Sequence, residues 1–500
     1  MKQKEKKIEL QNKANAKESI NKVILLSSVF ICGACVMVLE LVGSRVLAPY
    51  LGTSIVVWTS LIGVMLGAMS IGYVLGGRLA DKKVNYSTYS LIILFSGAAV
   101  ALVGVLRNRV ISFIIAAHVA SVNVAISAIL SSLFLFAIPS VILAMVSPYA
   151  IKLSLASLET SGRTTGLMYS VSTLGSITGT FAAGFYLIPR FGNTAIITVI
   201  SVVLIALSIV VYSQKNRGLK VLVLILTFLI GFGTKTVLRT KGAIAQYDTQ
   251  YGTVTIMDVD NIRSMMINNA INSHMFLDSD ELAYGYTKGY DLAMFFNPDV
   301  KKTLAIGGAG YSYPKYFLKH YEDKEIDVVE IDPKVTELAR KYFRLEDNER
   351  LNIFHEDART FLNRNETKYD AVFGDAYVVN APPYHLVTKE TMQAISNSLT
   401  DNGVFISLVV CDTSDGGRTE FLDAYYNTVS CVFEHVLLFQ VDTAYVMVTA
   451  LKQEPQALSS EDEYIRSLLD TAYFKAPQST MIFTDEYSPV EFMTLKRKPR

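Results

Sequence analysis

The chain has 500 residues, 51% of them hydrophobic and 18% charged. Such a composition excludes a disordered chain, a coiled coil and an ordinary soluble enzyme. The net charge of +1 hides a division: residues 1–240 hold 21 Lys and Arg against 6 Asp and Glu, a balance of +15, while residues 241–500 hold 25 against 39, a balance of −14.

Residues 1–22, with seven Lys and three Glu, read as a basic cytoplasmic tail. Apolar stretches of the roughly 20 residues needed to cross a bilayer follow at 23–47, 54–77, 88–106, 165–188, 193–212 and 219–237. The stretch 110–151 has room for one more span or two, so 23–240 is expected to be a transmembrane domain of seven or eight spans. Small residues at Gly63, Gly67, Gly72 and Gly76, and again at Gly175, Gly179 and Ala183, predict close helix contact. Cys32 and Cys35 lie inside an apolar run, which favours packing over redox chemistry, and four cysteines are too few for a disulfide framework. Glu40 and Arg45 stand at the inner boundary of the first span, placed to clamp one another or to serve a function. The first partner implied is therefore a lipid bilayer. The acidic second part carries no footprint for nucleic acid.

Residues 241–300 read as a small β unit, because 251–257 and 263–268 alternate in the manner of strands. Over 301–500, strands at 303–306, 326–331, 352–354, 369–373, 404–410, 435–440 and 443–450 are interleaved with helices at 334–343, 389–399 and 418–429. The predicted class is an α-helical multi-span membrane domain followed by an α/β domain. The latter is a Rossmann-like, methyltransferase-type doubly wound sheet whose last two strands form an antiparallel edge.

Four strand ends carry candidate chemistry. Ile306-Gly307-Gly308-Ala309-Gly310 follows the first strand directly, where glycines admit a tight turn and close approach to a ligand. Glu330 stands twenty residues beyond Gly310, at the offset from which a carboxylate can accept both ribose hydroxyls of an adenosine. No Lys follows the glycines, so this is not a P-loop. Asp357 can accept from an adenine amino group, cap the helix behind it, or do both. Asp375, ending the fourth strand, can orient or deprotonate an amine. Residues 380–385 form a loop able to cover the site. His274 and His385 lack ligand-spaced partners, so structural roles and no metal are expected.

Taken together these motifs resemble the spermidine synthases, the polyamine aminopropyltransferases, over roughly 245–450. Residues 40–45, 49–52, Trp58 and 76–81 are similar to the membrane-fused branch of that family. The resemblance implies transfer of an aminopropyl group from decarboxylated S-adenosylmethionine to putrescine or a related amine, leaving 5′-methylthioadenosine, without a metal. It places Gly307, Gly308 and Gly310 in the nucleoside loop, Glu330 on the ribose, Asp357 and Ala358 on the adenine, Pro382 or Pro383 over the nucleoside, and Asp375 as the catalytic carboxylate. Substrate contacts are expected at Asp280, Tyr284, Tyr377 and Tyr384, and a homodimer is an open possibility. The pattern departs from the family at Ala309, where the family carries an Asp that touches the amine, and at Tyr284-Gly285-Tyr286. Two other readings remain open: a methyltransferase using S-adenosylmethionine on a membrane-delivered substrate, and a transporter or sensor with a nucleoside-binding domain.

Overall fold

The structure, a computed structural model, describes residues 2–52, 54–117, 124–155, 161–212, 217–233, 242–376, 382–410, 419–442, 444–455, 459–473 and 479–495. The chain divides into two compact units, 1–238 with 248–252 and 239–247 with 253–500.

The first unit is helical. Among the described residues, six helices are long and apolar enough to cross a membrane: Lys22–Leu51, Ile55–Lys82, Tyr86–Ile114, Val124–Ser154, Ser161–Arg190 and Asn193–Val211. Seven or eight were expected. The long stretch 110–151 is shared between the end of one helix and a single further span, and of the span expected at 219–237 the part to Gly233 is helical while 234–237 lies outside the described residues. The helix that holds the first span begins at Lys2, inside the expected tail.

Helix packing follows the small residues where a neighbour is present. A Cβ on Gly175 would lie 2.0 Å from the Phe30 carbonyl oxygen, and one on Gly179 would lie 2.4 Å from that of Ala34. Gly72 and Gly76 meet Val141 and Met145 in the same way. Gly63 and Gly67 do not share this role, since both face open space. Cys32 and Cys35 are buried free thiols within the apolar core of this unit. Arg45 donates to the Ile188 carbonyl at 3.2 Å. Two π-helical turns, Leu133–Ala137 and Ala182–Leu187, sit just ahead of Pro139 and Pro189. A proline ring clashes with the carbonyl four residues before it, and a widened turn relieves that clash.

The second unit contains two sheets. In the first, β1 (Ala243–Asp248), β2 (Thr253–Val259), β3 (Ile262–Ile267) and β4 (Ala270–Phe276) lie in that order. The second sheet holds β5 (Lys302–Ile306), β6 (Glu325–Val329), β7 (Leu351–Phe354), β8 (Tyr369–Gly374), β9 (Leu399–Val410), β10 (His435–Gln440), β11 (Tyr445–Leu451) and β12 (Ala472–Tyr473). Their order is β12-β10-β11-β9-β8-β5-β6-β7. Strands β9, β8, β5, β6 and β7 pair in parallel, whereas β10, β11 and β12 form the antiparallel edge. Both faces of the parallel strands are apolar. Ala305, Val328 and Phe373 belong to one core layer, and Leu304, Val329 and Val372 to the other. Strands covered on both sides read as continuous apolar runs, as these do.

Gly175→Ala is expected to lower the stability of the full-length protein in detergent by about 1–3 kcal/mol, because the added methyl has nowhere to go. Gly63→Ala should leave it unchanged or slightly raised. Thermal unfolding of the two variants side by side checks the contrast.

Candidate active site

Register decides which residues meet. Ile306 pairs with Val329 on one side and with Gly374 on the other. The residues that follow, Gly307, Glu330 and Asp375, therefore emerge on one edge of the sheet. The chain runs outward from β5 through β6 to β7, then returns to β8 on the opposite side. The gap between β5 and β8 is thus a topological switch point, where open α/β sheets place their ligands.

Glycine is required at the first position of the turn. Gly307 has φ +100°, and a Cβ there would lie 2.7 Å from the Asp375 carbonyl oxygen. The turn is pinned by Glu330, which is only 7% exposed. Its Oε2 accepts from the Gly308 N–H at 2.9 Å and the Ala309 N–H at 3.1 Å, and its Oε1 accepts from the Asp332 N–H at 3.0 Å. Burial raises the Glu330 pKa, and these three donors pull it back. The Gly310 N–H donates to Ser273 Oγ at 2.9 Å, which ties the turn to β4. Ala309 and Tyr311 both adopt positive φ, at 43° and 55°.

A cleft opens beside the turn. Gly307, Gly308, Ala309 and Asp375 line one side, and Ser273, His274, Tyr284, Tyr286, Tyr290 and Tyr445 line much of the rest. The aromatic groups form a row. His274 lies 4.0 Å from Tyr284 between ring centroids, Tyr284 lies 4.8 Å from Tyr286, and Tyr286 lies 4.8 Å from Tyr445. His274 also hydrogen-bonds Ser264 Oγ at 2.8 Å. Burial pushes the His274 pKa down and the Tyr284 hydroxyl up to about 12, so both rings are neutral near pH 7.

Asp375 presents exposed surface to the cleft, although protein atoms crowd its carboxyl from the sides. The crowding pushes that carboxyl up to about 7, and the nearby Tyr290 hydroxyl opposes the rise. Water at the exposed face tempers the size of the shift and leaves its upward direction intact. A carboxylate whose pKa is raised toward neutrality is suited to receiving a proton from an amine.

The remaining candidates lie apart from this cleft. Asp357 caps the helix Ala358–Arg364, accepting from the Thr360 N–H at 3.0 Å, and its other oxygen faces His385 Nε2 at 3.0 Å. Burial pushes its carboxyl up, but the Thr360 N–H and His385 outweigh burial and hold it below the usual range. Ala358 is buried in the helix's first turn, Pro382 is buried beyond β8, and Tyr384 is exposed with its ring against His385. Asp280 is not a cleft residue: it pairs with Arg344 at 3.3 Å beside a separate hollow. Tyr377 lies outside the described residues. His385, expected to be alone, has Asp357 as its partner. His274, Tyr286, Tyr290 and Tyr445 were not among the expected site residues. Only the closeness of Tyr286 to Tyr284 in the chain signalled any of them.

A doubly wound sheet with a glycine turn, a pinning acid and a carboxylate at the switch point defines a Rossmann-like transferase. Residues 290–448 match the spermine/spermidine synthase domain. A polyamine aminopropyltransferase from Vibrio vulnificus is 27% identical over 216 residues, covering 40% of this chain and 72% of that protein. One from Agathobacter rectalis is 31% identical over 137 residues, covering 26% and 47%. A thermospermine synthase from Arabidopsis thaliana is 26% identical over 207 residues, covering 39% and 59%. The crystal structure of a probable spermidine synthase from Corynebacterium glutamicum aligns with a TM-score of 0.42 at 18% identity, over 49% of this chain and 97% of that one. Residues 290–448 thus carry a spermine/spermidine synthase domain, similar in sequence to polyamine aminopropyltransferases, in a chain whose first unit is helical.

Asp375 acts in its ionised form, so kcat/KM falls as pH drops from neutrality through its raised pKa. Tyr290→Phe removes a hydroxyl that favours the ionised form. The acid limb of the pH profile is then expected to move up by about one unit. Steady-state rates across pH 5–9 check both the limb and its shift.

Proposed function

We propose that the protein is a membrane-bound aminopropyltransferase that uses decarboxylated S-adenosylmethionine and a primary amine, putrescine or a related one. The observation that carries this reading is Asp375 in a neutral aromatic cleft beside the glycine turn. In the reaction, the amine nitrogen bonds to the aminopropyl methylene attached to the donor's sulfur. The carbon–sulfur bond breaks, its electron pair stays on sulfur, and 5′-methylthioadenosine leaves as a neutral thioether. The proton shed by the amine passes to Asp375. Gly307, Gly308 and Gly310 shape the nucleoside loop, and Glu330 holds that loop and meets the ribose. Asp357, Ala358 and Pro382 take the adenine end. Tyr284 borders the amine, and Tyr377 and Tyr384 are assigned to substrate contact. Asp280 is left without a substrate role. Among the described residues lining the cleft there is no Lys or Arg to pair with a methionine carboxylate, which supports the decarboxylated donor over S-adenosylmethionine.

The six apolar helices support residence in the cell membrane. We place the second unit in the cytoplasm, where a nucleoside-sulfonium donor is made.

The full-length protein in lipid nanodiscs, given decarboxylated S-adenosylmethionine and a panel of primary amines, is expected to release methylthioadenosine. Asp375→Asn should lower kcat by about 10²–10⁴. No methylthioadenosine with any amine rejects the reading. Orientation is tested at Cys431, an exposed free thiol. In a Cys411→Ser background, a membrane-impermeant maleimide is expected to label it only after cells are permeabilised.

A further inference from the structure

We infer that Tyr311 is a positioning residue for the donor nucleoside, acting through a hydrogen-bonded strut, Tyr311–Thr336–His355, that joins the glycine turn to the adenine end of the site. This rests on the nucleoside half of the aminopropyl-transfer reading and deepens it. Tyr311 closes the turn, its N–H donating to the Gly308 carbonyl at 2.7 Å. It does so at φ 55°, in the left-handed region that disfavours a side chain. Its ring is fully buried and lies against the turn. A Cβ added to Gly308 would stand 2.6 Å from Tyr311 Cζ and 2.9 Å from its hydroxyl oxygen, so the Gly308 backbone rests on the ring. Gly308 and Ala309 are the residues whose N–H groups Glu330 accepts. The ring and the Glu330 carboxylate thus hold the same short stretch.

The hydroxyl is anchored in turn. It hydrogen-bonds Thr336 Oγ1 at 2.7 Å, and Thr336 Oγ1 hydrogen-bonds His355 Nε2 at 3.0 Å. Thr336 is buried in the helix Pro333–Tyr342, which begins three residues after Glu330. His355 follows β7 and stands two residues before Asp357. The strut therefore links the segments that follow β5, β6 and β7. In the reading above these carry the nucleoside loop, the ribose acid and the adenine end. A buried polar chain of this kind favours one arrangement, because any member left unpaired is costly. None of the three side chains lines the cleft beside Asp375, so the strut bears on the donor rather than on the amine.

The test uses variants of matched shape in the full-length protein. Tyr311→Phe keeps the ring and removes the hydroxyl. It is expected to weaken methylthioadenosine binding and raise the donor KM by about fivefold, with kcat and the amine KM within about twofold of the unaltered protein. Thr336→Val breaks both bonds of the strut and should do at least as much. The double variant should do no more than Thr336→Val, because the bonds act as one unit. Thr336→Ser keeps the hydroxyl and is expected to bind methylthioadenosine as the unaltered protein does. Thermal unfolding is read alongside, since a purely structural role would lower the Tm and leave the donor KM where it was. An unchanged donor KM and methylthioadenosine affinity in Tyr311→Phe, or additive losses in the double variant, overturn the inference and leave aminopropyl transfer standing. An unaltered protein that binds no methylthioadenosine removes the nucleoside reading and the inference together.

Discussion

Ile306 sits between Val329 and Gly374 in a parallel register, and that alignment ends three strands on one line. From it follow the positions of the glycine turn, of Glu330 and of Asp375. The turn would not hold its shape unaided, because Ala309 and Tyr311 occupy the left-handed region that costs a side chain energy. The buried Glu330 carboxylate offsets that cost by taking two N–H groups of the turn at once. A buried acid and a strained turn thus support each other. Asp375 gains a rigid neighbour, since Gly307 leaves no gap against its carbonyl.

The two units reach tight packing by different means. Within the helical unit, lipid and side chain are equally apolar, so burial contributes little to helix association. Contact there depends on backbones that approach closely, as at Gly175 and Gly179. The sheet unit gains from removing apolar surface from water, and it buries aromatic groups such as Phe317, Phe343, Phe373 and Tyr425. The same preference carries into the cleft, which is walled by neutral rings rather than by charges. An environment of that kind raises a carboxyl such as Asp375 and makes it a base near neutral pH.

Much of this was legible in the chain because local rules suffice for it. Period and run length gave the parallel strands to within a few residues, and turn chemistry marked Gly307. The offset of Glu330 from the glycines and the place of Asp375 after a strand drew both to one edge. The acceptor side was not legible. His274 comes from β4, Tyr286 and Tyr290 from the 3₁₀ turn Gly285–Asp291, and Tyr445 from β11. No spacing rule links residues 171 positions apart, the interval from His274 to Tyr445. Asp280 illustrates the opposite error, for a carboxylate near Tyr284 in the chain is drawn off by Arg344. Gly63 and Gly72 looked alike in the sequence, yet only Gly72 has a helix against it.

The sequence by itself determined that this protein pairs apolar helices of bilayer length with a doubly wound domain bearing a glycine turn and three strand-end acids. Those properties follow from periodicity and from the conformations each residue permits, which act over a few neighbours. The tertiary structure alone decided that Glu330 turns back onto the loop, that Asp357 caps a helix and faces His385, and that Asp375 looks into a row of tyrosines. The reason is that hydrogen bonds and desolvation depend on which groups are neighbours in space, and that is set only when distant strands pair.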